Sequence, residues 1–381
     1  MLYHFLVPLA RQFRILNLFT YITFRAAGAA VTALLLAFVV GPAIIRRLRG
    51  GSITQVVREG TPDTHAGKGE TPTMGGLIIL FAAIGSTLLW ARLSSRYIWL
   101  ALGVTAAMGA IGLIDDVLKV RQKRAGEKNL GLVERYKLAG QVTIGLLLGV
   151  YVWRFPLSPD LPGASTTLPF FKYVLVVPIS AAFAWLYVVF TTFVLTGVSN
   201  AVNLTDGLDG LAAGLSAIAF ATFAAFAYVI GRVDWSHYLG LFYLANSGEL
   251  TVFCAGMAGA LLAFLWFNTH PAEIFMGDTG SLALGGGLGV VAILLKSEFL
   301  LVFVGGVFMC EALSVMIQRG VFKYRRRRYG VEYARAHRVF LRAPIHHHFE
   351  LKGWPETQVV VRFWILGLLC AFVALATLKV R

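Results

Sequence analysis

Acids and amides are scarce in this chain and gather at a few places. The densest is Asn200-Ala-Val-Asn-Leu-Thr-Asp-Gly-Leu-Asp-Gly210, between two long apolar runs. Asn203 and Asp206 are three residues apart, as are Asp206 and Asp209, so a helical segment would set each pair on one face. A polar face of this kind beside hydrocarbon is costly unless it lines a wet or metal-bound site. Another apolar run ends in Ile114-Asp115-Asp116-Val117-Leu118-Lys119. There, adjacent carboxylates repel each other and meet the negative end of a helix dipole. A divalent cation or a nearby lysine would relieve both.

The stretch from Trp266 to Ser281 has no Lys or Arg but holds Asn268, His270, Glu273 and Asp278. Gly277-Asp278-Thr279-Gly280 puts a carboxylate in a tight turn ahead of a helix, a good ligand for a hard cation. Phe275 could stack on a base, and reads equally well as an interfacial aromatic. Ala343-Pro-Ile-His-His-His-Phe-Glu350 has three consecutive histidines that point different ways and lack a cysteine partner, a poor zinc site. His346, His347 and His348 suit hydrogen bonding to phosphate, with pKa values that nearby anions would raise. Thr71-Pro72-Thr73 starts a helix with Lys68 just outside it, which suits an anionic phosphate. Taken alone, that segment reads better as an ordinary helix start with a surface lysine. Lys137 starts a helix and could point back toward the acids. Glu311 and Gln318, within or at the end of an apolar run, are bundle glue or site lining.

The elements that position these groups cross a membrane. The 381 residues are 57% hydrophobic and 14% charged, which excludes a soluble globular chain. Apolar runs of spanning length predict about ten transmembrane helices in one domain over residues 1–381. They are Thr23–Ile45, Met74–Leu93, Tyr97–Ile114, Leu138–Trp153, Tyr173–Leu195, Leu211–Gly231, Thr251–Phe267, Ser281–Leu295, Phe299–Gln318 and Val359–Leu378. The loops after the first, third and ninth runs carry 22 of the 34 Lys and Arg. Alternation puts all three on one side, and excess Lys and Arg marks the cytoplasm. Both termini then lie outside, and the chemistry-bearing loops face the cytoplasm. The net charge of +15 is thus one of orientation, and no basic fold for nucleic acid is present. Met1 to Phe19 reads as an interfacial lead-in with no cleavable signal. Cys254, Cys310 and Cys370 fall inside apolar runs without ligand spacing and read as buried hydrophobes.

Five stretches in this order carry a resemblance. They are Lys68-Gly-Glu-Thr-Pro-Thr-Met-Gly-Gly76, Asp115-Asp116, Asn203 to Gly210, Phe275-Met-Gly-Asp278 and Pro344 to Glu350. The chain resembles the polyprenyl-phosphate sugar-1-phosphate transferases over nearly its whole length. The run from Pro344 through Trp354 is similar to their muramoyl-pentapeptide branch. One departure is Glu70, where the family usually has glycine. The resemblance implies an all-α polytopic enzyme of the bacterial inner membrane, often a dimer and dependent on Mg²⁺. Its substrates would be UDP-MurNAc-pentapeptide and undecaprenyl phosphate, its products lipid I and UMP. It implies that Asp278 holds the metal and that Asp115 and Asp116 handle the lipid phosphate. Lys68, Asn203, Asp206, Asp209 and Asn268 would line the nucleotide-sugar cleft, with Phe275 beneath uracil. Thr73, Lys137, Gly207 and Gln318 join them as substrate-binding candidates, and His346 to His348 would reach the diphosphate. The alternatives are a transferase using another UDP-sugar, such as UDP-GlcNAc, and a transporter. Against a transporter, the acids sit in inner loops and helix ends rather than at mid-bilayer, and no inverted repeat is found.

Overall fold

A computed structural model describes residues 1–50, 71–126, 131–159, 161–171, 177–178 and 183–379. Lys68, expected beside phosphate, and Glu70, the departure from the family pattern, lie outside the described residues. Among the described residues the architecture is all-α apart from one antiparallel pair of two-residue strands, β1 (Ser165–Thr166) and β2 (Val177–Pro178).

In chain order the helices are α1 (Leu2–Leu6), α2 (Ile22–Gly50), α3 (Gly76–Trp90), α4 (Arg96–Arg124), α5 (Glu134–Arg154), α6 (Ala184–Thr205), α7 (Leu211–Ile230) and α8 (Val233–Leu239). They continue as α9 (Glu249–Asn268), α10 (Gly277–Leu294), α11 (Leu300–Val304), α12 (Gly306–Tyr329), α13 (Val331–Ala336), α14 (Ile345–Leu351) and α15 (Glu356–Ala376). Among the described residues, seven helices are long and apolar enough to cross a membrane: α2, α4, α6, α7, α9, α10 and α15. The protein is a multi-pass membrane protein.

Helix α10 is the centre of the bundle, with every residue from Thr279 to Leu294 buried. Its glycines allow this, because small residues let helix backbones approach closely where lipid gives no hydrophobic drive between helices. A Cβ on Gly285 would lie 2.5 Å from the Cα of Ser199 on α6, and one on Gly286 would lie 2.6 Å from Met108 on α4. Helix α2 packs on α9 the same way, through a stripe of small residues including Ala26, Ala29, Ala33, Ala37 and Gly41. At the end of α10 away from Asp278, Lys296 donates to the Gly163 carbonyl at 2.6 Å and to Tyr187 Oη at 3.1 Å. Glu298 accepts from Thr166 Oγ1 at 2.6 Å and from Tyr187 Oη at 2.8 Å. These bonds satisfy an otherwise costly buried cation and anion.

Several boundaries depart from the apolar runs. The fifth run was expected at Tyr173–Leu195, whereas α6 spans Ala184–Thr205. Val177 and Pro178 are extended and paired to β1, and proline resists a helix interior. At its other end α6 continues through the polar residues Asn200 and Asn203, because a helix does not stop where hydrophobicity does. For the same reason α4 runs on to Arg124 and α12 to Tyr329, carried by Lys and Arg, which are good helix formers. The ninth run divides at Gly305 into α11 and α12.

Candidate functional site

At one end of the bundle, α4 and α6 finish, α5 begins and α10 begins. Asp115 and Asp116 sit on α4, Lys137 on the first turn of α5, Asn203 on the last turns of α6, and Asp278 on the first turn of α10. What brings α4 against α10 is Gly112, whose Cβ would lie only 2.1 Å from the Asp278 carbonyl oxygen. The segment before α3 is stitched to the segment before α10. Phe275 N–H donates to the Pro72 carbonyl at 2.8 Å, Gly75 N–H to the Phe275 carbonyl at 2.8 Å, and Gly76 N–H to the Met276 carbonyl at 2.9 Å. Thr73 is thereby buried beside Gly277, whose φ of +71° and crowded surroundings admit no Cβ.

The three acids divide the work. Asp116 accepts from the backbone N–H groups of Asp278 and Thr279 at 3.2 and 2.9 Å, and from Thr279 Oγ1 at 2.7 Å. It therefore caps the N-terminus of α10 from a neighbouring helix, satisfying donors that a helix start leaves free. Asp115 accepts the Leu132 N–H at 2.6 Å and pairs with Lys119, four residues on, at 2.6 Å. Asp278 receives Lys137 at 2.5 Å, Lys119 at 3.0 Å and the Asn203 side-chain amide at 2.9 Å. Asp115, Asp116 and Asp278 each offer an oxygen, and these lie within 4.8 Å of one another. The donor set is all carboxylate, which fits a hard divalent cation rather than zinc or copper.

Asp206 ends α6 and is half-buried. Burial, helped by Asp278, Asp116 and Asp209, pushes its carboxyl up to about 8. Gly210, with φ +80°, then turns the chain into α7. Asp209 belongs to a second group, because its Oδ2 lies 3.1 Å from His270 Nδ1 and accepts the Ala272 N–H at 3.3 Å. Glu356, at the start of α15, accepts the Asp209 N–H at 2.9 Å and lies 3.5 Å from His270. Asn268 is buried, accepts the Gly210 N–H at 3.1 Å and donates to the Ile274 carbonyl at 2.9 Å. Asn268 thus holds the two loops together, and the Phe275 ring beside it stays half exposed.

The remaining candidates come from α12 and α14. Gln318 donates to the Phe340 carbonyl at 3.2 Å and accepts its N–H at 3.0 Å, tying α12 to the strand of chain that leads into α14. His346 is fully buried and lies 3.1 Å from Glu311. His347 pairs with Glu350 at 2.6 Å, and His348 accepts the Leu341 N–H at 3.1 Å. Within the protein, burial outweighs the Glu350 carboxylate and lowers the pKa of His347. The same influence lowers His348.

The family described as Glycosyl transferase family 4 matches residues 98–296. Over all 381 residues, and the whole of both chains, the protein is 70% identical to a phospho-N-acetylmuramoyl-pentapeptide-transferase of Gemmatimonas aurantiaca. The chain belongs to the phospho-N-acetylmuramoyl-pentapeptide transferase family. Full-length relatives of the same name are 49% identical in Desulfotalea psychrophila and 48% identical in Geobacter sp. strain M21. The protein is a phosphosugar transferase.

In this transferase, sequence reasoning found the acids but missed several of their partners. Lys119, four residues after Asp115 and on the same helix face, is the nearby lysine that the adjacent acids call for and can be named from the chain. Thr279 cannot, because its hydroxyl reaches Asp116 only through the approach of α4 and α10. His270 and Glu356 are not paired with Asp209 in the sequence for the same reason, as their segments meet only in the fold.

Proposed function

We propose that this transferase moves phospho-MurNAc-pentapeptide from UDP-MurNAc-pentapeptide to undecaprenyl phosphate at the cytoplasmic face of a bacterial inner membrane. An oxygen of the lipid phosphate attacks the sugar-linked phosphorus. The bond to the uridylate oxygen breaks, UMP leaves, and lipid I forms. The observation that carries this reading is the convergence of Asp115, Asp116, Asp278, Lys119 and Lys137 at one end of the bundle. Two polyanions must meet there, so charge neutralisation is the main task.

Lys119 and Lys137 suit phosphate oxygens, since both ammonium groups are already directed at the mouth of the acid cluster. Asp278, with Asp115 beside it, would hold Mg²⁺. When bound, the cation supplies charge neutralisation on the diphosphate and the leaving group. Asp116 spends its oxygens on the start of α10, so we assign it to positioning. We assign Asp115 to orienting the lipid phosphate. A phosphate monoester has its second pKa at about 6 and is mostly dianionic at neutral pH, so base assistance by Asp115 is optional. On the nucleotide-sugar side we place Lys68, Thr73, Asn203, Asp206, Gly207, Asp209, Asn268 and Phe275, with Gln318, His347 and His348 toward the peptide-bearing sugar.

The test is UMP release on mixing the purified protein with Mg²⁺, undecaprenyl phosphate and UDP-MurNAc-pentapeptide. Release with UDP-GlcNAc in its place, and none with the muramoyl substrate, overturns the substrate assignment. A labelled phospho-enzyme trapped with nucleotide-sugar alone overturns direct attack in favour of a two-step path.

A further inference from the structure

A fully buried carboxylate is expensive unless it is paired, and α12 carries one. Glu311 and His346 are each 0% exposed, and His346 Nδ1 lies 3.1 Å from Glu311 Oε2. By geometry none of their side-chain oxygen and nitrogen atoms has a hydrogen-bond partner among the described residues, so proximity alone joins the two. Two apolar side chains of the same volume would fill this space at lower cost, so packing does not explain the pair. The far edge of the imidazole explains it better. A Cβ on Gly207 would lie 2.4 Å from His346 Nε2 and 2.8 Å from its Cε1, so the ring rests directly on the turn between α6 and α7. That turn carries Asp206 and Asp209 on either side of Gly207.

We propose that Glu311 and His346 are positioning residues for the nucleotide-sugar side of the site. Glu311 orients the imidazole, and the imidazole edge seats the Gly207 turn so that Asp206 and Asp209 keep their places. A buried carboxylate behind a histidine is a general device for fixing ring orientation. Here the ring acts on backbone rather than on substrate, so Glu311 works at two removes from the chemistry. This separates His346 from His347 and His348, which are less enclosed. The inference rests on the transferase reading above and concerns the same site.

The test compares Glu311→Leu and Glu311→Gln with the parent in UMP release, titrating each substrate separately, with melting temperature recorded in detergent. Glu311→Leu should raise KM for the nucleotide sugar about tenfold or more, since small misplacements of binding groups are costly. KM for the lipid phosphate should stay at its parent value. Glu311→Gln keeps an oxygen facing Nδ1 and should recover most of the loss. A purely structural role would lower the melting temperature and the folded fraction while leaving KM alone. A folded Glu311→Leu with parent KM, an equal rise for both substrates, or no recovery by Gln overturns the proposal. If Glu311→Leu does not fold, Gly207→Ala takes its place. It pushes the imidazole away with Glu311 and His346 both still present and should raise the same KM, and a parent KM there is equally fatal. Parent protein that releases no UMP sinks the transferase reading instead, so the two failures stay distinct.

Discussion

Replacing Asp278 with asparagine removes one charge and almost no volume. The carboxylate accepts from Lys137 at 2.5 Å, from Asn203 at 2.9 Å and from Lys119 at 3.0 Å. Hydrogen bonds to a charged group are worth about 1.5–3 kcal/mol each, which sets a ceiling on what stability is at risk. The realised loss is smaller because the lysines have somewhere to go. Lys119 keeps Asp115 at 2.6 Å, Lys137 has Asp115 at 3.9 Å, and their side chains are 27% and 15% exposed. Both can turn toward water, so the fold should lose about 1–3 kcal/mol. Turnover should suffer more. Losing one preorganised charge-stabilising group typically costs about 10²–10³ in kcat, or about 2.7–4 kcal/mol. The assay is UMP release against Mg²⁺ concentration, with melting curves on the same samples. An unchanged Mg²⁺ titration would falsify the metal assignment. A loss of turnover that merely follows the unfolded fraction would make Asp278 structural.

Asp206 gives a pH prediction. Its carboxyl is raised to about 8 from an unfolded value of about 3.9, so the folded protein holds that proton more tightly. The stability this contributes is complete below about pH 4 and disappears as pH climbs toward about 8. In Mg²⁺-free buffer the parent melting temperature should therefore fall between roughly pH 5 and pH 8.5, and that of Asp206→Asn should fall less. Parallel slopes would refute the assignment. Gly112→Ala drives a Cβ into the Asp278 carbonyl at 2.1 Å and should cost about 1–3 kcal/mol as an overpacked contact. Gly103→Ala, with nothing within 4 Å of its Cβ, is the control on the same helix, and equal melting temperatures would contradict the close α4–α10 approach. Asn268→Leu strands the Gly210 N–H and the Ile274 carbonyl, each worth about 1–3 kcal/mol. A parent-like melting temperature would show that the two loops do not depend on it.

Much of the site could be read from the chain because polar residues stand out against an apolar background. Asp115, Asp116, Asn203, Asp206 and Asp278 were conspicuous for that reason, and the fold does gather them at one end. Their separate jobs were not legible. Asp116 reads as half of a repelling pair until α10 arrives, when it becomes the cap on another helix. His346 looks like its two neighbours in the chain, yet it alone is sealed against α12. Hydropathy locates a helix but is blind to its polar turns, so it ended α6 at Leu195 and hid Asn203 from its own helix. Burial and pairing depend on which glycines let which helices touch, and that is a property of two distant segments together.

The presence of so many carboxylates where two phosphate-bearing substrates must meet looks unfavourable until the charges are taken as one group. Asp115, Asp116 and Asp278 with Lys119 and Lys137 leave one net negative charge, and a divalent cation turns that into one net positive charge. Acids alone would repel the diphosphate, and lysines alone would bind it without holding a metal. The mixed cluster can do both, because the lysines reach the acids through flexible stems while the acids are fixed by Leu132 N–H, Thr279 and Asn203. Rigid acids and movable cations are the arrangement expected of a site that must bind anions, move a phosphoryl group and then release a nucleotide monophosphate.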